Sequence, residues 1–449
     1  METPFWVNHF LKNRKSLKMN NLFFHHNQKN GRRKAGFYRV AARMALWAGL
    51  FVAGFSGLNA QPLDTLLAHA ADNNLELKAL YQDYLAALEK APQVGQLPDP
   101  EVMAGVFVLP VETRVGPQWV RLGATQMFPW KGTLKAREEV VLAMAKARFE
   151  KIEATRLNLF YEVKKAWLAL YELEKSKDII RRNIQIFESM QRLALAKVES
   201  GKGSSADVLR IQLKLQELNT ELALLDIRSK KPLAALNQVL NRPLDTPVRF
   251  EDSLALAVIP YNRDTLAAYL TAEHPLIRMY NAQQETARNA MHLNALEGKP
   301  SFGVGMDYIV VGKRKNVELS DNGKDILSPR VGVKIPLFRQ KYAAKDREES
   351  LKIAALEYRK EDARNRFLAE IEKAWADRDD AARSLGLYDE LIRTTRAAIR
   401  ILEADYSTAG RNFDELLRLR NELVNYDLKI LKAVVKSHLA KAKIEQFIP

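Results

Sequence analysis

The chain has 449 residues, 47% hydrophobic and 28% charged, enough to bury a large core; with no cysteine it holds neither a disulfide framework nor a thiolate metal site. Its formal net charge of +16 points on its face to a polyanionic partner, nucleic acid or anionic lipid. Nine of those sixteen charges lie in residues 1–60, where ten Lys or Arg face one acid, Glu2, so the remainder is only mildly basic and implies no nucleic acid.

The basic stretch runs into "MALWAGLFVAGFSGLNA", Met44 to Ala60, a short apolar core ending in a small residue before Gln61-Pro62. A basic start, a short apolar core and a small residue at its end predict a secretory signal peptide cleaved near Ala60. A membrane anchor is the competing reading, but a spanning helix needs about 20 apolar residues. The Arg32-Arg33 pair is a weak sign of twin-arginine export, and Met19 is a second candidate start. No cysteine follows the cleavage site, so an N-terminal lipid anchor is excluded.

After a first helical region, "EVMAGVFVL" (101–109) and "QWVRLGATQMF" (118–128) read as strands flanking a loop with Pro110 and Gly116-Pro117. A long helix follows over 132–200: from Thr133 to Ser200 there is neither Pro nor Gly, and strong helix formers dominate. At 1.5 Å per residue it spans roughly 100 Å, longer than any single globular core. Leu157, Phe160, Tyr161, Val163, Trp167, Leu168, Leu170, Tyr171 and Leu173 recur at three- and four-residue spacing as a wide stripe, suited to a helix with neighbours on both sides. A turn leads to a helix over 204–241, which closes the first region, 61–247; a connector with Pro243, Pro247 and Pro260 follows.

The second region, 248–449, repeats the order: a helix over 263–297, strands over 301–311 and 329–338, a long helix over 340–409 and a last helix over 411–448. Trp167 falls on Trp375 at an offset of 208, and the same offset sets Gly201 on Ala409, Asp207 on Glu415, Val208 on Leu416 and Leu209 on Leu417. Each strand has the length of a tilted membrane strand. In the second pair Phe302, Val304, Met306, Tyr308, Val310, Val331, Val333, Ile335 and Leu337 share one face, with Gly303, Gly305, Asp307, Arg330, Gly332 and Lys334 on the other. Soluble hairpins would show a similar alternation, because the signal per strand is weak. Four strands cannot close a barrel, which needs about eight, and lipid tolerates no open strand edge, so several chains would pool their strands.

The duplicated layout, "QMFPWKGTL" at a strand-to-helix junction, "AALNQVLNRPLDTP" closing the first half, and a turn written glycine, five residues, acid, two aliphatics together resemble the TolC-type outer-membrane efflux proteins of Gram-negative bacteria. The resemblance runs from Pro62 to Pro449, and the QMFPW junction looks closest to the heavy-metal efflux subgroup. It implies a mainly α fold with membrane β: a homotrimer with four strands per chain in a twelve-stranded outer-membrane β-barrel, continued by a long α-helical periplasmic barrel. It further implies a passive exit duct, not an enzyme, for metal ions or drugs. An inner-membrane pump of the resistance-nodulation-division type would deliver these through a periplasmic adaptor. A soluble periplasmic coiled-coil scaffold or adaptor without a channel is the alternative, and a basic coiled coil that binds nucleic acid a distant third.

"KVESGKGSSADVLR" (Lys197 to Arg210) looks at first like a phosphate loop, but the glycine such a loop needs five residues before Gly201 is Ala196. Gly201 and Gly203 instead suit a helix end, with Ser204 or Ser205 capping the next helix. From the resemblance, Gly201, Lys202, Gly203, Asp207, Val208, Leu209, Ala409, Gly410, Leu416 and Leu417 are candidates for adaptor docking, and Tyr406, Arg411, Glu415 and Arg418 for the periplasmic aperture. Arg418 stands where the family has a second acid, which puts cation selectivity in doubt; pairing of Glu415 with Arg418 on a solvated helix face is the plainer reading. No cofactor, metal site or catalytic set is read from the sequence, and Trp167 and Trp375 read as core packing.

Overall fold

The computed structural model describes residues 63–250, 253–316, 318–409 and 412–448. The export signal expected in residues 1–60 therefore lies outside the described residues, as do Gly410 and Arg411. In chain order the elements are α1 (Leu63–Asn73), α2 (Leu75–Leu88), α3 (Lys90–Val94), β1 (Glu101–Val106), β2 (Glu112–Thr113), β3 (Gly116–Phe128), α4 (Thr133–Glu199), α5 (Ser205–Val239), α6 (Arg263–Glu273), α7 (Pro275–Glu297), β4 (Ser301–Val311), β5 (Ile326–Lys334), α8 (Gln340–Ala409) and α9 (Phe413–Glu445). They form two compact units, each drawn from both halves of the chain.

The first unit includes 159–258 and 376–442. Its core is a four-helix seam with a regular three-four spacing of inward positions. Leu173, Ser176, Ile180, Asn183, Phe187, Met190, Ala194 and Lys197 line α4, and Val208, Ile211, Leu215, Leu218, Leu222 and Leu225 line α5. On α8 the series is Ile392, Thr395, Ile399, Leu402 and Tyr406, and on α9 it is Leu416, Leu419, Leu423, Tyr426 and Ile430. A seven-residue repeat is the mark of coiled-coil packing, narrower than the wide stripe read around Leu157 to Leu173. Fully burying one such Leu or Phe stabilises by about 1.5–3 kcal/mol. The connector after α5 is laid against the same unit: Phe250 meets Trp167 edge-on at 5.1 Å between ring centroids, and Trp167 stacks on Tyr171 at 5.5 Å. The Leu254 amide donates to the Tyr171 hydroxyl at 2.8 Å, and the Ala257 amide to Ser437 Oγ at 3.0 Å. Both tryptophans thus act in packing, Trp375 in the other unit under the Arg263 guanidinium at 5.1 Å from its ring.

The second unit includes 75–158 and 259–375 and holds the sheet. Strand order is β1-β3-β4-β5, antiparallel throughout, with β2 paired to the end of β3. The two expected hairpins are joined through β3 and β4, which run in register from Gln118 opposite Val311 to Phe128 opposite Phe302, with a bulge between Gln118 and Val120.

Several boundaries differ from the sequence reading. β1 stops at Val106 rather than 109, because the ladder ends at Val106 opposite Val120 and Pro110 follows. β3 begins at Gly116 rather than 118, and its first residues pair with the unanticipated β2. β5 runs 326–334 rather than 329–338: its last pair is Ser301 with Lys334, and Pro336 beyond has no N–H to give a ladder. The expected helix over 263–297 is broken between α6 and α7, where His274 is extended at φ −61°, ψ 134° and caps α7 from a position followed by Pro275. α9 starts at Phe413, not 411, after Asn412 takes φ 62°.

Candidate functional site

In the first unit the two matched turns, which the sequence sets 208 residues apart, pack side by side. The α4–α5 turn is closed by a double hydrogen bond: the Lys202 amide donates to the Lys197 carbonyl at 2.9 Å and the Gly201 amide to the Val198 carbonyl at 3.0 Å. Gly201 sits at φ +70°, the left-handed conformation this motif needs. Gly203 is required for a different reason: a Cβ there would come within 2.8 Å of Lys197 Cβ and 3.0 Å of its backbone. Ser204 then caps α5, accepting from the Ala206 amide at 3.2 Å. Helix capping thus accounts for every feature that mimics a phosphate loop.

Lys197 and Arg210 bind this turn to the α8–α9 turn. Lys197, buried at the end of its seam, donates from Nζ to the Ser407 carbonyl at 3.0 Å and lies 5.1 Å over the Tyr406 ring. Arg210 reaches Asp207 at 3.5 Å and also pairs with Asp414 across the two turns. Tyr406 packs on Phe413 at 5.0 Å between centroids, in the core that holds Val208 and Leu416. Burial pushes the Asp207 carboxyl up, Arg210 opposes the shift and Asp414 adds to it. Burial likewise raises the Tyr406 phenol, with the Asp207 charge adding to it.

The expected docking residues separate by position. Lys202 and Leu209 are exposed, whereas Asp207, Val208 and Leu416 are buried and Gly203 and Leu417 half-buried. Ala409 ends α8; Gly410 is beyond the described residues. Of the aperture residues, Tyr406 is only 2% exposed and its hydroxyl has no hydrogen-bond partner, which makes it a seam residue of the single chain rather than a surface group. Glu415 and Arg418 are exposed and paired with each other, the plainer of the two sequence readings. Arg418 forks onto Glu415, with Nε 3.0 Å from Oε2, and reaches Glu422 at 2.6 Å. This hydrogen bond holds the Glu415 carboxyl below its ordinary value and raises Arg418. Sequence reasoning missed Lys197, Arg210, Phe413 and Asp414. Lys197 was detectable as the last position of a three-four series; Arg210 and Asp414, 204 residues apart, left no such signal.

The sheet of the second unit has two chemically distinct faces. Across the ladder the rows Val102–Ala124–Met306, Ala104–Leu122–Tyr308–Leu327, Val304–Val331 and Phe128–Phe302–Val333 fall on one side. Val102, Leu122, Phe302, Val304, Met306, Tyr308, Leu327, Val331 and Val333 are all exposed there. The opposite side carries Gly105, Arg121, Gly123, Thr125, Gly303, Gly305, Asp307, Arg330 and Gly332, with Met103, Met127 and Ile309 among them. The outer edges of β1 and β5 have no strand partner among the described residues. No described helix is long and apolar enough to cross a membrane.

No family model and no curated protein sequence matches the chain. Among solved structures it is similar to CusC, in a study of folding and transmembrane channel formation, with a TM-score of 0.69 at 14% identity over 85% of this chain and 90% of that one. It is also similar to the open state of the MtrE outer-membrane channel of Neisseria gonorrhoeae, with a TM-score of 0.66 at 16% identity over 86% and 88% of the two chains. A third likeness is to the outer-membrane protein VceC of Vibrio cholerae, with a TM-score of 0.67 at 14% identity over 86% and 95%.

Proposed function

We infer that this chain, which has the fold of the TolC-type outer-membrane channels, is itself an outer-membrane exit duct of a Gram-negative tripartite efflux system. Three copies pool four strands each into a twelve-stranded barrel, β1 of one chain closing on β5 of the next, and the long helices form the periplasmic tube. The chain does no chemistry; an inner-membrane pump of the resistance-nodulation-division type supplies the energy through a periplasmic adaptor, and the cargo is metal ions or drugs. Export through the signal in residues 1–60, cut near Ala60, accords with that location.

The observation that carries the reading is the two-faced sheet with two free edges. An exposed apolar face of this extent is costly in water at roughly 25 cal/mol per Å², and free edges in lipid leave backbone groups unsatisfied. Closure by identical copies in a bilayer removes both penalties. The same face disfavours the soluble scaffold. Within this reading the exposed Lys202 and Leu209 present the docking surface, Gly201, Gly203, Asp207, Val208, Ala409, Leu416 and Leu417 shape it, and Glu415 and Arg418 stand at the aperture, with Tyr406 packed in the seam behind them; Gly410 and Arg411, the remaining candidates, lie outside the described residues. The test is reconstitution of the purified mature chain: heat-modifiable trimers and discrete single-channel steps in a planar bilayer are expected. A chain that stays soluble and monomeric without detergent and gives no conductance would overturn the duct.

A further inference from the structure

The water-facing side of the sheet is not uniformly polar. Gly105, Gly123, Gly303, Gly305 and Gly332 share it with Met103, Met127 and Ile309, and its charge is concentrated at one point where three strands meet. Asp307 on β4, only 3% exposed, accepts from Arg121 Nη2 on β3 and lies 3.7 Å from Arg330 Nη1 on β5. Arg330 also donates to Thr125 Oγ1 at 2.8 Å. Gly123, directly opposite Asp307, makes the room: a Cβ there would sit 2.5 Å from Asp307 Oδ1. The carboxylate is thus sunk against the backbone of the neighbouring strand while both guanidinium side chains remain 45% and 37% exposed above it. Solvent meets two fixed cations whose counter-charge is hidden beneath them. Glu101 and Lys334, one charge of each sign, are the remaining ionisable groups of the strands on this face and offset each other.

We propose that Arg121 and Arg330, clamped on Asp307, form a cationic collar inside the barrel that favours anionic solutes over cations. The proposal rests on the exit-duct reading, since a collar needs three copies around one lumen. Rings of Arg or Lys select for anions in pores by lowering the electrostatic cost of anion entry, and salt screens them only beyond about 8–10 Å. Guanidiniums pinned by an ion pair and a hydroxyl cannot swing aside, so each passing solute meets the same field. The collar makes anionic or anion-complexed cargo the favoured class and bare divalent cations the disfavoured one. This selection belongs to the barrel and is independent of the Glu415–Arg418 pair in the other unit.

The absence of cysteine from the chain gives a direct test. Trimers of the mature chain carrying Arg121→Cys would be assembled in planar bilayers under a potassium chloride gradient. They would then be treated with a thiol reagent bearing a sulfonate or one bearing a trimethylammonium group. The wild-type chain is expected to pass chloride in preference to potassium. The sulfonate should lower that ratio by about twofold or more, and the ammonium reagent should restore it. A wild-type channel that prefers potassium overturns the collar whether or not the variant assembles, and so does a ratio indifferent to the sulfonate. In both cases conductance persists and the duct stands. Absence of any conductance from wild-type trimers is a different result: it overturns the duct and takes the collar with it.

Discussion

At the residue scale, the two glycines of the first turn answer to different constraints and respond differently to substitution. Gly201 is held at φ +70° with open space around the missing Cβ, so its cost is conformational alone. Gly201→Asn should be nearly neutral and Gly201→Val should cost about 1–2 kcal/mol. Gly203→Ala should cost more than Gly201→Ala, because the obstacle is the Lys197 backbone rather than a movable side chain tip. Thermal melting of the purified protein reads both, and an equal loss at the two positions would contradict the assignment. Arg418 sits between Glu415 and Glu422 and holds the Glu415 carboxyl low. Arg418→Ala should therefore let the Glu415 carboxyl rise toward its ordinary value and expose two unpaired carboxylates at the turn. The expected readout is a shift in reversal potential toward cations that is reversed in Arg418→Lys. The spacing of three residues made this pair legible in the sequence. The Arg210–Asp414 bridge was not, because a contact between residues far apart in the chain depends on how four helices meet, which no local pattern encodes.

At the element scale, propensity alone set the two longest helices, and their bounds, Thr133–Glu199 and Gln340–Ala409, fall within a residue of the sequence reading. The break between α6 and α7 was missed although Pro275 was in plain view. Proline is tolerated at the first position of a helix, and the missing signal was a histidine serving as the cap. His274 accepts from the Leu276 amide at 3.1 Å and packs against Phe367 at 4.4 Å between centroids. Burial, with Arg278 adding to it, lowers its pKa to about 4 from 6.5. The unfolded chain takes up the proton first, so the stability present above pH 6.5 is lost as pH falls through 6.5 toward 4, by roughly 2–4 kcal/mol. His274→Asn keeps a capping acceptor and removes this titration, so its unfolding midpoint should fall less over that window than that of the wild type. Urea titrations at pH 7 and pH 4.5 decide the point; parallel curves for the two proteins would mean His274 is not the titrating group.

At the scale of the whole molecule, the alternation of the strands was legible, but the pairing of β3 with β4 was not. Two hairpins of similar composition can be joined along either edge, and what selects one is the fit of glycines under large neighbours, such as Gly303 beneath Met127 and Gly123 beneath Asp307. This fit keeps the apolar residues of all four strands on one face, the face that lipid covers in the proposed barrel. Val304 on β4 is 56% exposed on that face, whereas Gly332 on β5 has open space above it on the other. Arginine at a lipid-facing position near the bilayer midplane costs about 2–4 kcal/mol, and on the lumen side little. Val304→Arg should therefore reduce the yield of heat-modifiable trimers formed in lipid vesicles, and Gly332→Arg should leave it near wild type. A soluble protein would rank the two the other way, since Val304→Arg would relieve an exposed apolar patch and Gly332→Arg would only burden a strand. The order of the two variants thus separates a bilayer-embedded barrel from a water-exposed sheet without any assumption about cargo, adaptor or pump.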